Sequence, residues 1–415
     1  MTPGGPGPHP VLAQVVREDW GRLLGLLIRR HGRPDLAEDA LAEALASAAE
    51  QWPRDGIPDN PQGWLTQVAS RRLLDAIRRE ATAAGKAHLL AVPEEAPPRH
   101  THGPGGTEDD RLPLLFMATH PALAPEVRPA LALRFVLGVP TADIAALFLV
   151  PTTTMAARLT RAKQRLRAIG AGFRVPEEPD LGARVDDVAR AIYLAFTAGY
   201  APREGEAVVH VEATSEAVRL AHLTRELLPN TVVLPALCAL LTLQHARRDA
   251  RTDEQGGLVR LADQDRSLWR RDEIDAGLVL LQGLSPTKGY AEELRLQALV
   301  AAFHDSAATS AETDWAAIAR TYARLERLTG SPIVRLNRAV AVAEVSGPMA
   351  GLRLLQAAAD QLPGHHRIHV VRAGLLRREG DTEGARAAYD QALKTCPDGP
   401  ERRHLLSRLG ELPPA

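Results

Sequence analysis

The stretch VPTADIAALFLVPTTTMAARLTRAKQRLR (139–167) decides how this chain is read. Thr141 can cap a short helix whose Ile144, Ala145 and Phe148 share one inward face. Val150-Pro151 makes a turn, and Thr152 or Thr153 can cap a second helix. Met155 and Leu159 hold that helix to the first, which turns Thr153, Thr154, Ala157, Arg158 and Arg161 outward. Residues 152–167 also carry Lys163, Arg165 and Arg167 and no acid. A helix that enters the major groove needs this layout: its N-terminal residues reach base edges while later cations hold phosphates. The same pattern also suits an amphipathic helix with a solvated basic face, and Leu149 stands where many such turns have Gly.

Upstream, residues 11–52 read as two helices broken at His31-Gly32-Arg33-Pro34. Val16, Trp20, Leu23, Leu24 and Leu27 give the first a buried face. The second, DLAEDALAEALASAAEQW (35–52), holds Asp35, Glu38, Asp39, Glu43 and Glu50 without a base, and its early acids suit a helix start. A Pro/Asn/Asp-rich loop, PRDGIPDNP (53–61), leads into a basic helix, QGWLTQVASRRLLDAIRRE (62–80). There Trp64, Leu65, Val68, Leu73 and Ile77 form the apolar face, and Arg71, Arg72, Arg78 and Arg79 supply charge. Trp64 among arginines suits capture of a single strand by stacking and phosphate contact, although a Trp is more often core.

The bulk numbers fit several helical units. The 415 residues exceed one core, aromatics are only 4%, and Ala and Leu fill nearly every segment. The net charge of −1 gives no global pull toward nucleic acid. Residues 1–175, however, hold 21 Lys/Arg against 18 Asp/Glu, with the surplus on the two basic helices. Cys238 and Cys396 lack any finger spacing and suit a reducing cytosol, so a cytoplasmic location is expected. The opening MTPGGPGPHP reads as a leader without a signal peptide, and no apolar run is long enough to span a membrane. Residues 81–110 read as a flexible linker, and FRVPEEPDLG (173–182) as a second boundary.

The remaining sequence repeats. Arg338-Ala339 and Arg372-Ala373 lie 34 apart, as do Leu355 and Tyr389, Ala358 and Ala392, and Pro363 and Pro397. Ile318, Tyr322 and Leu325 fall a further 33 back, in the slots of Gly351, Leu355 and Ala358. Such a period of paired helices is that of tetratricopeptide repeats, and GDTEGARAAYDQALKTCP (380–397) fits it well. Residues 183–290 can hold degenerate versions.

Together, DLAEDALAEAL, WPRDGIPDNPQGWLTQVASRRLLDAIRRE and the helix-turn-helix with RLTRAKQRLR resemble the sigma-2 and sigma-4 domains of extracytoplasmic-function sigma factors. ATHPALAPEVRPALALRFVLG, FRVP, LADQDRSLW and SPIVRLNRAVAVAEVSGP resemble the subgroup with a long tetratricopeptide-like extension. The resemblance implies an all-α chain: a sigma-2 domain at 11–80, a linker at 81–111, a sigma-4 domain at 112–175 and a helical extension at 183–415. It implies that Asp35, Glu38, Asp39 and Glu43 dock on the clamp helices of the polymerase β′ subunit, with the β flap a further contact. Asn60, Trp64, Arg71, Arg72 and Arg78 would lie at the −10 element, and Thr153, Thr154, Arg158, Arg161 and Lys163 at the −35 element. Arg71 replaces the family's usual Asn, so the fine −10 preference is not carried over.

The competing reading is an autonomous helix-turn-helix regulator with a helical sensor domain; a repeat scaffold with a vestigial sigma module is a third. No phosphate loop or nucleophile elbow is present, so neither an enzyme nor a cofactor is expected. His365, His366 and His369 have spacings that could hold a metal on a helix, but no third ligand is visible and no metal site is expected. Asp263, Asp265, Arg266 and Trp269 could line a small-molecule site, or form a polar network between helices.

Overall fold

The computed structural model describes residues 8–83, 109–148, 150–177, 180–200, 211–254, 257–362 and 364–413. Among them the fold is all-α, with one isolated antiparallel bridge, Thr252 to Leu258, and no strand. The leader and most of the linker foreseen at 81–111 lie outside the described residues. Two compact units emerge, one of residues 1–145 with 150–191 and one of 192–415 with 146–149.

The first unit begins with α1 (Pro8–His31), α2 (Pro34–Asp55) and α3 (Pro61–Ala83). Gly32 at φ 63° and Pro34 make the break between α1 and α2. Trp20, Leu23, Leu24 and Leu27 are buried as the spacing requires, while Val15 takes the place expected of Val16. The N-cap of α2 is Arg33, not Asp35, and α2 runs through Pro53, so the loop shrinks to 56–60. Asn60 Oδ1 accepts from the Gly63 N–H at 2.9 Å and so caps α3.

Next come α4 (Arg111–Ala118), α5 (Arg128–Leu137), α6 (Thr141–Leu147) and α7 (Thr152–Ala168). Pro151 occupies the N-cap of α7, without a side-chain cap from Thr152 or Thr153. Gly138 ends α5 at φ 70°, where a Cβ would come within 2.7 Å of the Trp20 ring. Trp20 Nε1 donates to Arg134 O at 3.0 Å, and the Arg134 guanidinium lies 5.2 Å from the same ring. α8 (Leu181–Tyr200) contributes its first half to this unit: Arg184 donates to Phe116 O at 2.7 Å, and Val185 and Val188 are buried.

In the second unit follow α9 (Val211–Leu227), α10 (Val233–His245), α11 (Arg271–Gln282), α12 (Gly289–Asp305) and α13 (Trp315–Thr329). The chain closes with α14 (Pro332–Ser346), α15 (Pro348–Ala359), α16 (His366–Glu379), α17 (Thr382–Thr395) and α18 (Pro400–Gly410). The positions that repeat in sequence repeat in burial: Ala339, Leu355, Ala358, Ala373 and Ala392 are all 0% exposed. Gly380 at φ 84° ends α16, and Asp381 Oδ1 then caps α17 at the Gly384 N–H, 2.8 Å away.

Arg266 belongs to the polar network and not to a small-molecule site. Its guanidinium donates to His304 O at 2.7 Å and Ala307 O at 2.6 Å, and lies 4.5 Å from the Trp269 ring. Asp263 and Asp265 are exposed and take no part.

Candidate nucleic-acid interface

α7, the second helix of the helix-turn-helix pattern, has two distinct faces. Met155, Leu159, Ala162 and Leu166 are buried, which fixes the opposite face toward solvent. Thr153 and Arg161 are exposed there, and Thr154 and Arg158 are half-buried. Arg161 Nε donates back to Ala157 O at 3.2 Å, so its guanidinium folds along the helix surface.

Lys163 corrects the sequence reading. It is 6% exposed, and its ammonium donates to Glu38 Oε2 at 2.9 Å and Asp39 Oδ1 at 3.1 Å. It lies on the buried stripe, one turn beyond Leu159, and faces α2 instead of DNA. Glu38, expected at a polymerase surface, is likewise 6% exposed, with Arg134 and Lys163 both bonded to its carboxylate. Burial works against the charged forms of Glu38 and Lys163. Their attraction, with Arg134 added, prevails, so the Glu38 carboxyl lies below its ordinary pKa and the Lys163 ammonium above.

A second ionic cluster lies beside this one. Arg33 holds Asp35 at 2.8 Å and Glu80 at 2.7 Å, and Arg167 reaches the same two carboxylates at 3.1 and 3.3 Å. Burial raises the Asp35 pKa, but the Arg33 hydrogen bond and the charges of Arg33 and Arg167 bring it below the usual value. α2 and α7 are thus joined by opposite charge over about one helical turn. Arg33, Arg134 and Arg167 are members of this contact that sequence reasoning missed.

Asp39, although bonded to Lys163, is exposed, as is Glu43, which accepts from Arg72 Nη1 at 2.8 Å. Arg72 Nη2 also donates to Ser47 Oγ at 2.7 Å, tying α3 to α2. On α3, Arg71 and Arg78 are exposed, with Asp75 3.6 Å from Arg78. Trp64 is half-buried, its ring edge-on to Trp52 at 5.6 Å, so it both packs and presents a face. Asn60 is exposed at the head of that helix. Asn60, Trp64, Arg71, Arg72 and Arg78 therefore lie along one helix and the loop before it, whereas the −35 candidates lie on α7.

Comparison with known proteins bears on each part. Residues 16–82 match Sigma-70 region 2, and residues 114–166 match Sigma-70, region 4. Residues 184–284 match a family of unknown function (DUF6596), and residues 366–409 a tetratricopeptide repeat. An uncharacterized protein of Rhizobium meliloti, R00370, is 37% identical over 393 residues, covering 94% of this chain and 93% of that protein. The ECF RNA polymerase sigma factor SigE of Mycolicibacterium smegmatis is 27% identical over 161 residues, 38% of this chain and 61% of that one. No helix among the described residues is long and apolar enough to cross a membrane. With both sigma regions in order and a repeat domain behind them, the chain fits an extracytoplasmic-function-like sigma factor with a C-terminal extension, and 94% of it aligns with the Rhizobium protein.

Proposed function

We propose that this sigma factor binds core RNA polymerase in the cytoplasm and directs initiation at promoters read in two blocks. The acidic face of α2 docks on the β′ clamp helices, and the region-4 domain meets the β flap. Asn60, Trp64, Arg71, Arg72 and Arg78 hold the melted −10 strand, by stacking and phosphate contact. Thr153, Thr154, Arg158 and Arg161 read the −35 duplex. The domains run 11–80, 81–111 and 112–175, and the extension from 183 to 415 regulates activity without catalysing a reaction.

The observation that carries this reading is the solvent face of α7, an acid-free row of short polar and basic side chains on a helix whose other side is buried. The α2–α7 contact adds a condition. Asp35 and Glu38 reach polymerase only after α7 has left, so the free protein masks its own docking face and must open to form holoenzyme.

Run-off transcription with core polymerase tests the function. The full chain plus core enzyme is expected to start transcripts at promoters sharing two spaced blocks, and neither component alone does so. Specific promoter binding by the isolated chain, with no transcription when core is added, would instead favour the autonomous regulator.

A further inference from the structure

Three ligand-bearing side chains meet where the terminal repeat closes. His366 is the first residue of α16, Cys396 follows the last residue of α17, and Glu401 sits in the first turn of α18. A ring nitrogen, the sulfur and a carboxylate oxygen from these residues all lie within 4.8 Å of one another. His366 Nε2 is 3.3 Å from Glu401 Oε2. Donors on a tetrahedral zinc ion stand about 3.5 Å apart, so closing this set needs shifts on the order of 1 Å.

The surroundings are built to keep the three together. Arg402 Nη1 donates to Leu393 O at 2.6 Å and Cys396 O at 3.0 Å, which pins the α17–α18 turn. Thr395 Oγ1 donates to Gly364 O at 3.0 Å, fixing the end of α17 against the start of α16. The His365 ring stacks on His366 at 5.1 Å and 13°, and His365 Nδ1 accepts from the Arg367 N–H. Cys396 is 5% exposed, and its sulfur has Pro397 O at 3.6 Å. The His366 and Glu401 side chains are 15% and 35% exposed, so the set is closed on the thiol side and open on the carboxylate side.

We propose that His366, Cys396 and Glu401 form a zinc-class divalent cation site that clips α18 to the α16–α17 hairpin. Thiolate and carboxylate together balance a 2+ ion, and a sulfur–nitrogen–oxygen set favours zinc over magnesium or calcium. Three protein ligands leave a fourth position for water or an outside donor. Binding releases the thiol proton. Arg367 Nε, 3.6 Å from Glu401 Oε1, competes for the carboxylate and swings outward when metal arrives. The site differs from the histidine row considered in the sequence: His366 is common to both, and His365 and His369 are not among its ligands. It is independent of how the sigma module works.

The test uses the full chain, freed of metal with a chelator and titrated with Co²⁺. One equivalent is expected to produce a thiolate-to-cobalt absorption in the near ultraviolet and a visible band of four-coordinate cobalt, both lost when Zn²⁺ is added. Cys396→Ser should abolish the near-ultraviolet band, while Cys238→Ser, at the other cysteine, keeps it. His366→Gln and Glu401→Gln, which disturb the fold less, should each weaken cobalt binding by at least about tenfold. Zn²⁺ should also raise the unfolding temperature of the native chain and not that of His366→Gln. A folded native chain without a thiolate–cobalt band, or a band that survives Cys396→Ser, overturns the proposal.

Discussion

Lys163 Nζ donates to Glu38 Oε2 at 2.9 Å across 125 residues of sequence, and each side chain is 7% exposed. A pair this enclosed loses several kcal/mol of hydration, about 3–5 of which reappear as instability when one partner is removed. Lys163→Gln removes the cation that α7 offers to Glu38 and leaves the docking acids in place, so it should separate α2 from α7. The expected result is a larger radius of gyration for the free protein in small-angle scattering and faster association with core polymerase. Unchanged scattering and association rate would mean that the contact does not gate docking.

The exposed acids, Asp39 included although it also meets Lys163, govern a second step. Asp39 and Glu43 are exposed on α2, where charges act through encounter rate and are screened by salt. Asp39→Arg combined with Glu43→Arg should abolish holoenzyme formation with helicity intact, and the native association should weaken as salt rises. Co-purification of the double variant with core enzyme at the native level would remove α2 from the docking surface.

Much of this was legible in sequence, for a physical reason. The buried faces of α1 and α7 and the register of α14 to α17 follow from apolar spacing, which burial enforces directly, and the His31–Pro34 break from Gly32 and Pro34. Glu38 and Lys163 were read as surface groups because they are charged. Yet Glu38 lies on the stripe of Ala37, Leu41 and Ala44, and Lys163 on that of Leu159, Ala162 and Leu166. The spacing marked both as buried, and only the partner, far away in sequence, was invisible. His366 and Glu401 lay hidden likewise, 35 residues apart and brought together by the repeat.

Base reading and phosphate holding on α7 should separate by mutation. Arg158→Ala should cost roughly 1–3 kcal/mol of promoter binding and relax preference at one −35 position, as loss of a bidentate base contact does. Exposed Arg165→Ala should weaken all sequences alike and reduce the salt dependence. Competition assays over a −35 library measure both. A uniform loss for Arg158→Ala would make it an anchor only.

His304 gives the second unit a pH dependence. Burial, with Arg247 and Arg266 nearby, lowers its pKa to about 3, and its ring sits edge-on to Trp315 at 5.2 Å. The fold therefore favours neutral imidazole, and that contribution is complete above pH 6.5 and lost as pH falls below it. Between pH 6.5 and pH 5 the loss is roughly 2 kcal/mol. Buried Asp305, raised to about 6 by desolvation, runs the other way, because its protonation on acidification is favoured in the fold. The stability difference between native protein and His304→Phe isolates the histidine and should shrink by that amount over the same interval. Denaturant titrations at the two pH values check it, and a constant difference would refute it.

The extension's role turns on α8. Its first half belongs to the sigma-bearing unit: Arg184 donates to Phe116 O at 2.7 Å, its guanidinium lies 5.7 Å from the Phe116 ring, and Asp187 pairs with Arg128 at 3.6 Å. A chain cut after Val175 loses these supports of α4 and α5, whereas one cut after Ala191 keeps them. The Val175 truncation should therefore unfold at lower temperature than the Ala191 truncation. If the repeats are needed to hold the DNA modules in register, both truncations should lose run-off transcription. If the repeats inhibit, the Ala191 truncation should exceed the full chain. Full activity in the Ala191 truncation, with unchanged promoter choice, would show that initiation requires nothing of the extension beyond Ala191.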